Sequence, residues 1–268
     1  MGKARTIRTL KQGKRDLRLV EQDARFYGLS DGKICIEGSD KATVWRDLSN
    51  RAGMVDPDYI GYGGARARFV QFFPNGFQSE GFSGMEGNYK RKAARELSKA
   101  APLEQALHGQ GLGEAVLAAY RATNLLSPFE KVRIAELLRS DHADPFIRAV
   151  AAFTQSPDAT TLRKLAVTLK PMDCAKWTII TYLPFLWRPE AHMFLKPRVT
   201  QDFARRVGHP FADLYSARLE IETYHSLRDL AQATAREFQD MAPRDNIDIQ
   251  SLIWVVGDYQ EGLAGVHA

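Results

Sequence analysis

The N-terminal third of the chain shows the short alternation of apolar and polar positions that is typical of β-strands. Residues 25–37 read as a hairpin, because two apolar runs flank Asp31-Gly32, a dipeptide that two-residue hairpin turns favour. Residues 67–73 alternate in the same way and are predicted to be a further strand. We therefore expect residues 20–85 to form a small antiparallel sheet or barrel.

Beyond residue 87 the apolar positions recur every three or four residues, the period of an α-helix. A basic helix is predicted over residues 89–101. Ser127, Pro128 and Glu130 form a strong helix start, with a capping serine, proline in the first turn and glutamate three residues after the cap. Further helices are predicted at 114–124, from Asp144, from Ser156, and at 173–183, 199–207 and 213–241. Residues 247–256 are apolar enough to be buried, as helix or strand.

These elements predict an α+β fold, with a small antiparallel β-rich N-terminal domain followed by a mainly α-helical domain. The predicted organisation is a basic arm over residues 1–20, a β-rich domain over 21–100 that ends in the basic helix, and a helical domain over 113–268. The composition shifts between residues 85 and 113, where three closely spaced glycines indicate a joint.

The composition is that of an ordinary globular protein. Of 268 residues, 44% are hydrophobic and 26% are charged. No apolar run approaches the 18 residues of a membrane-spanning helix, so no membrane is expected. The two cysteines, Cys35 and Cys174, have no metal-binding or redox spacing, and we expect a cytoplasmic protein with both thiols reduced.

The charge is distributed unevenly. The first 20 residues contain seven basic side chains and one acidic one, a net charge of +6, whereas the remaining residues sum to −1. A basic segment of this kind is a frequent electrostatic signature of nucleic-acid binding, because cations that meet phosphates release counterions. A solvated tail or a contact with an acidic protein would give the same pattern. The candidate cations are Lys3, Arg5, Arg8, Lys11, Lys14, Arg15 and Arg18.

A cluster of aromatic residues is the second distinctive feature. Residues 59–89 contain eight aromatic side chains. Exposed rings next to cations suit stacking on unpaired bases, whereas rings in a small domain more often fill its core. The cations beside this cluster complete the predicted nucleic-acid-binding set, and they are Arg66, Arg68, Lys90, Arg91 and Lys92.

No motif fixes a reaction. The chain has no zinc-binding histidine pair, phosphate-binding loop or nucleophile elbow, so we expect no catalytic residue, metal or cofactor. Asp56, Asp58, Glu80 and Glu86 are close enough in sequence to form a carboxylate cluster, as a metal-dependent nuclease requires. A helix-turn-helix over residues 144–170 is a further, weaker prediction.

We therefore expect a non-catalytic protein or subunit that binds DNA or RNA through a basic N-terminal arm and an aromatic and basic surface. Two alternatives remain at this point. One is a protein-interaction or regulatory subunit whose helical domain recruits a protein partner, and the other is a metal-dependent nuclease.

Overall fold

The computed structural model describes residues 4–12, 15–51, 59 and 61–258. The chain divides into two compact units, residues 1–72 (unit 1) and residues 73–268 (unit 2). The division falls before the region where the composition shifts, so the basic helix belongs to unit 2. The predicted α+β layout is confirmed, with an antiparallel sheet first and helices after it.

Unit 1 begins with a four-stranded antiparallel sheet in which each strand pairs with the next. Two-residue turns join β2 to β3 and β3 to β4. The turn residues Asp23 and Ala24, like Asp31 and Gly32, have positive φ angles, as the twist-matched hairpin turn requires. The predicted hairpin is therefore confirmed. The strands are β1 (Arg5–Gln12), β2 (Arg15–Gln22), β3 (Arg25–Ser30) and β4 (Lys33–Gly38).

The segment predicted as a basic arm lies within this sheet, because its residues form β1 and most of β2. Leu17 and Leu19 alternate with polar neighbours in β2 and are buried. The inward apolar positions of β1 and β2 thus anchor the cationic segment to the core of unit 1.

One helix, α1 (Lys41–Arg51), packs on one face of the sheet across β2, β3 and β4. Its buried side chains Val44, Trp45 and Leu48 meet Leu17 and Leu19, and the five together form a hydrophobic cluster between α1 and the sheet. A Cβ atom on Gly28 would lie 3.2 Å from Leu48, so the glycine lets the helix approach the sheet closely.

Asp40 caps the start of α1, because its carboxylate accepts a 2.7 Å hydrogen bond from the Thr43 amide. One strand prediction in unit 1 is wrong. The strand predicted at 67–73 is instead helix α2 (Gly61–Phe72). Its buried Ala65, Arg68 and Phe69 are three and four residues apart, a helical period that the short alternation obscured.

Within its described residues, unit 2 consists of helices joined by turns and loops. A π-helical turn at Ser83–Gly87 joins α3 to α4, and short 3₁₀ turns lie at Gly76–Gln78, Lys170–Met172 and Gln239–Met241. The helices are α3 (Glu80–Phe82), α4 (Asn88–Ala100), α5 (Leu103–Ala106), α6 (Gly113–Arg121), α7 (Pro128–Leu138), α8 (Ala143–Gln155), α9 (Ala159–Leu169), α10 (Trp177–Trp187), α11 (Pro197–Val207), α12 (Phe211–Leu214), α13 (Ile221–Glu237) and α14 (Asn246–Asp258).

Most helix signals in unit 2 are confirmed. The Ser127 hydroxyl and the Glu130 carboxylate form the reciprocal capping box at the start of α7. Gly208 ends α11 with a φ of 72°, the left-handed conformation that glycine tolerates best. The predicted helix over 213–241 is wrong in extent, because α12 and α13 are separate helices.

The apolar segment 247–256, predicted to be a buried helix or strand, lies in α14. Among the residues that the structure describes, no helix is both long and apolar enough to cross a membrane.

Candidate nucleic-acid interface

The face of the sheet opposite α1 carries two rows of side chains that the strand register brings side by side. The first row is Thr9, Arg18, Leu29 and Ile34, one residue from each strand. The second row is Thr6, Val20, Tyr27 and Glu37. Ile34 is 63% exposed, and Arg18, Thr9 and Glu37 are exposed as well. We call this surface the open face.

Arg18 lies near the centre of the open face, in the second of the four strands. Its Nε and Nη2 atoms donate hydrogen bonds of 3.0 and 2.6 Å to the same carboxylate oxygen of Asp16. This hydrogen bond and the negative charge of Asp16 raise the pKa of Arg18. The contact fixes the direction of a guanidinium group that is otherwise 49% exposed.

The other cations predicted in the first 20 residues have different surroundings. Arg5 is 76% exposed and donates a 2.7 Å hydrogen bond to Glu21, whereas Arg8 places its guanidinium carbon 4.5 Å from the centre of the Trp45 ring. Lys11 and Arg15 belong to β1 and β2, and Lys3 and Lys14 lie outside the described residues. We call the paired strands β1 and β2, with the cations that they carry, the cationic hairpin.

Among the side chains of unit 1 that the structure describes, three further cations were not predicted as site residues. Arg25 is 63% exposed and lies 3.5 Å from the Glu37 carboxylate, and Lys33 and Lys41 are exposed too.

The alternation in residues 15–22, with Leu17 and Leu19 inward and Arg18 outward, was the signal for a strand with a polar face. The density of positive charge obscured it.

Two of these ion pairs leave their cations available to a stronger anion. Arg5 is 76% exposed beside Glu21, and the side chains of Arg25 and Glu37 are 63% and 61% exposed. Such pairs contribute about 0–1 kcal/mol each, since water screens both charges. A phosphate can therefore replace or join the carboxylates at little cost.

Arg66 and Arg68, predicted beside the aromatic cluster, lie on α2 and not on the sheet. Arg66 is half-buried, whereas Arg68 is only 7% exposed, with its guanidinium carbon 5.5 Å from the centre of the Phe72 ring. Burial makes Arg68 a poor candidate for a phosphate contact.

Lys90, expected on the surface of a basic helix, is 1% exposed. Its Nζ donates hydrogen bonds of 2.9 Å to Glu86 and 2.7 Å to Ser251. Removal from water lowers the pKa of Lys90, and the Glu86 charge opposes that shift. Its ammonium group is thus committed to partners inside unit 2.

Arg91 is also committed to carboxylates, those of Asp245 and Asp248 at the start of α14. Burial lowers the pKa of Arg91, but the hydrogen bonds and charges of Asp245 and Asp248 outweigh it and raise the pKa overall. Of the three adjacent cations, Lys92 alone is exposed, and no ion pair of Lys92 occurs within the described residues. The three adjacent cations therefore have different surroundings within unit 2, and only Lys92 is exposed to solvent.

Most rings of the aromatic cluster fill the core. Phe82 makes edge-to-face contacts with Phe73 and Phe77, with ring centres 5.4 Å apart in both pairs, and Phe77 contacts Phe238. These four rings and Phe69 are buried. These rings therefore fill a core and are not available to stack on bases.

The weaker candidate sites are also placed. Asp56 and Asp58 lie outside the described residues, Glu80 is exposed and Glu86 is buried against Lys90. Within the described part of the chain, no three metal-ligating side chains come together. The helix pair predicted at 144–170 exists as α8 and α9, with Arg163 and Lys164 exposed on α9.

The charge of the two units differs. Unit 1 contains fourteen basic and nine acidic residues, a net charge of +5, whereas unit 2 contains 23 of each and is neutral. The entire net charge of the chain thus belongs to the unit that carries the open face. Comparisons of the chain with protein-family models, with curated proteins and with solved structures gave no match.

Proposed function

We propose that the protein binds nucleic acid through the cationic hairpin and the open face of unit 1. The observation that carries the proposal is the placement of the whole +5 charge in unit 1, next to a neutral unit 2. Phosphate contacts with Lys and Arg supply most of the affinity of nucleic-acid-binding proteins, so the cations of unit 1 provide the main attraction. We assign no catalytic step to the protein.

This proposal differs from the sequence-based prediction in which residues make contact. It retains Arg5, Arg8, Lys11, Arg15 and Arg18 on the two strands, together with Lys3 and Lys14. It adds Arg25, Lys33 and Lys41. It leaves out Lys90 and Arg91, because their charges are already neutralised by buried carboxylates. A cytoplasmic location remains part of the proposal, supported by thiols at Cys35 and Cys174 that donate hydrogen bonds to backbone carbonyls.

The test measures fluorescence anisotropy of labelled duplex DNA, single-stranded DNA and duplex RNA with the full chain, at several salt concentrations. The hairpin variant carries Arg5→Gln, Lys11→Gln, Lys14→Gln and Arg15→Gln. For duplex DNA, each phosphate contact contributes about 0.9 to the slope of log affinity against log salt. Losing four contacts should therefore lower the magnitude of this slope by about 3 to 4.

The matched control removes the same charge from unit 2. It carries Lys92→Gln, Arg95→Gln, Arg163→Gln and Lys164→Gln, four exposed cations of α4 and α9. We expect this helical variant to keep both the affinity and the salt slope of the wild-type protein. If the helical variant loses binding and the hairpin variant keeps it, the interface lies on unit 2 and the proposal is wrong.

A second candidate, a protein-interaction subunit, is favoured by one observation in unit 2. Phe129 and Val132 lie one turn apart on α7 and are 82% and 59% exposed. Adjacent exposed apolar side chains are typical of surfaces that bind protein. An assembly of the full chain that survives nuclease treatment, and that Phe129→Ser with Val132→Ser abolishes, would support this candidate.

A further inference from the structure

We infer that the open face of unit 1 binds duplex DNA in the major groove, with Arg18 directed at a guanine. This inference rests on the proposed function and specifies the form of nucleic acid and the residue that reads a base. The chemical requirement is a guanidinium group that is both oriented and free to donate two parallel hydrogen bonds, because guanine offers two adjacent acceptors, O6 and N7, in that groove.

The Asp16 contact orients Arg18 in this way. Nε and Nη2 of Arg18 both donate to one Asp16 oxygen, at 3.0 and 2.6 Å. The guanidinium group is a planar fork with five donor hydrogens, so one edge is occupied and the edge formed by the two terminal nitrogens remains. Within the described residues, Arg18 makes no other hydrogen bond. An arginine held by a carboxylate at one edge presents its other edge in a fixed direction.

The neighbours of Arg18 on the open face also suit base edges. Thr9 lies beside it on β1 and provides a hydroxyl that donates or accepts, and Leu29 lies on its other side. Leu29, one strand away, offers the apolar contact that a thymine methyl group favours. Arg25 lies on the same face at the start of β3 and can meet a phosphate that borders the groove.

The dimensions favour B-form DNA over the other forms of nucleic acid. Adjacent strands lie about 4.8 Å apart, so the four strands of the open face span about 14 Å. The major groove of B-DNA is about 12 Å wide and admits a two-stranded ribbon, here β1 and β2 with Thr9 and Arg18, whereas that of duplex RNA is too deep and narrow for side chains to read. The duplex RNA alternative therefore lacks a groove that could accept the sheet.

The open face is poorly suited to binding single-stranded nucleic acid. Its binding sites stack successive bases on several exposed rings. The two rows of the open face contain one aromatic residue, Tyr27, which is only partly exposed, and Phe26 packs against the core on the opposite face. One partly exposed ring is insufficient for a stacking platform, whereas oriented hydrogen-bond donors fit a groove.

The experiment begins with selection of binding sites from a pool of random duplex DNA by the full chain. Each guanine of the selected site is then replaced by 7-deazaguanine, which lacks the N7 acceptor but keeps base pairing. We expect one guanine at which this replacement weakens wild-type binding by roughly tenfold, within the range of about fivefold to 150-fold for a bidentate contact.

Two variants of equal charge separate base reading from phosphate attraction. Arg18→Lys keeps the charge but loses the planar fork, so it should bind duplex DNA with an unchanged salt slope and show a weaker response to 7-deazaguanine than the wild type. Arg163→Lys is the matched control, an exposed arginine of α9 outside the proposed interface, and should keep the wild-type response. Asp16→Asn, which releases the guanidinium group, should reduce the discrimination without removing a cation.

The outcomes distinguish this inference from the proposed function. If the full chain binds no nucleic acid, both are wrong. If binding depends on the cationic hairpin but single strands or duplex RNA bind more tightly than duplex DNA, the proposed function stands and this inference is overturned. An identical 7-deazaguanine response in wild type and Arg18→Lys would overturn the assignment to Arg18.

Discussion

Lys90 and Ser251 are 161 residues apart in the chain, and their side chains meet inside unit 2 with Nζ 2.7 Å from Oγ. The Lys90 ammonium also binds Glu86 at 2.9 Å and lies 5.3 Å from the centre of the Tyr89 ring. The contact joins α4 to α14. Lys90, which the sequence predicts to contact phosphate, therefore stabilises the packing of unit 2 instead.

Lys90→Met should destabilise the protein strongly. The substitution leaves Glu86 buried without its counter-ion, and breaking a buried ion pair from one side costs about 3–5 kcal/mol. Replacing both partners, as Lys90→Met with Glu86→Met, should recover most of that loss because no unpaired charge remains. Urea denaturation gives the free energy of unfolding for each variant.

Lys92→Met is the matched control for this prediction, because Lys92 is exposed two residues further along the same helix. Its free energy of unfolding should stay within about 0.5 kcal/mol of the wild-type value. Equal destabilisation by Lys90→Met and Lys92→Met would show that the Lys90 ion pair does not stabilise unit 2.

The sequence predicted local features better than contacts between distant segments. Ser127 and Glu130 cap α7 because both signals lie within four residues, and Asp31-Gly32 forms its turn for the same reason. The partners of Arg91 lie more than 150 residues away, so no pattern around Arg91 indicated that its charge would be neutralised. The burial of Lys90 and Arg91 could therefore be recognised only in the three-dimensional structure.

The open face illustrates a different limit. Its rows exist only once the strand register is known, because Arg18 and its neighbours Thr9 and Leu29 come from three strands. The positive charge of this region was visible in the sequence. The distribution of these cations over the two faces of the sheet, with Arg8 against Trp45 and Arg18 on the open face beside Asp16, depends on pairing that the sequence pattern did not specify.

The stability of unit 2 should fall as the pH falls from about 6.5 to 4 because of His192. His192 is buried as the neutral ring: Nδ1 lies 2.5 Å from the Tyr224 hydroxyl and Nε2 lies 3.0 Å from the Thr154 carbonyl. Burial, with the charge of Arg228, lowers the pKa of His192 to about 4. The unfolded chain takes up this proton near pH 6.5, so it binds more protons than the folded protein between these values.

The expected loss from His192 over this interval is about 3 kcal/mol. The measurement is the free energy of unfolding from pH 7 to pH 4 for wild type and His192→Gln, whose difference in slope isolates this histidine from the carboxylates. His108→Gln changes an exposed histidine and should keep the wild-type slope. Parallel curves for wild type and His192→Gln would contradict the prediction.

Gly113→Ala should destabilise unit 2 at the start of α6. A Cβ atom there would lie 2.4 Å from the Leu138 carbonyl oxygen, which is backbone and cannot rotate away. Forcing extra volume into a packed site costs about 1–3 kcal/mol. Gly84→Ala is the control, because nothing lies within 4 Å of the added atom. Thermal unfolding should separate the two, and similar unfolding temperatures would show that α6 can move away from Leu138.

Deletion of residues 1–22 should unfold the sheet of unit 1 rather than simply remove its charge. The deletion takes away β1 and β2 and with them Leu17 and Leu19, which cover Val44, Trp45 and Leu48 of α1. The remaining hairpin of β3 and β4 is too small to hold α1, since two strands alone are marginal in water. Hydrogen exchange followed by mass spectrometry should show lost amide protection over residues 41–51.

The same measurement on the hairpin variant should show wild-type protection over residues 41–51, because Arg5, Lys11, Lys14 and Arg15 are replaced without touching Leu17 or Leu19. This contrast decides how a loss of binding is interpreted. A truncated protein that binds no nucleic acid has lost its fold as well as its cations, whereas a folded hairpin variant that binds weakly has lost the cations alone. Full protection of α1 in the truncated protein would mean that β1 and β2 do not stabilise unit 1, and the cationic segment would then be the separable arm that its composition suggested.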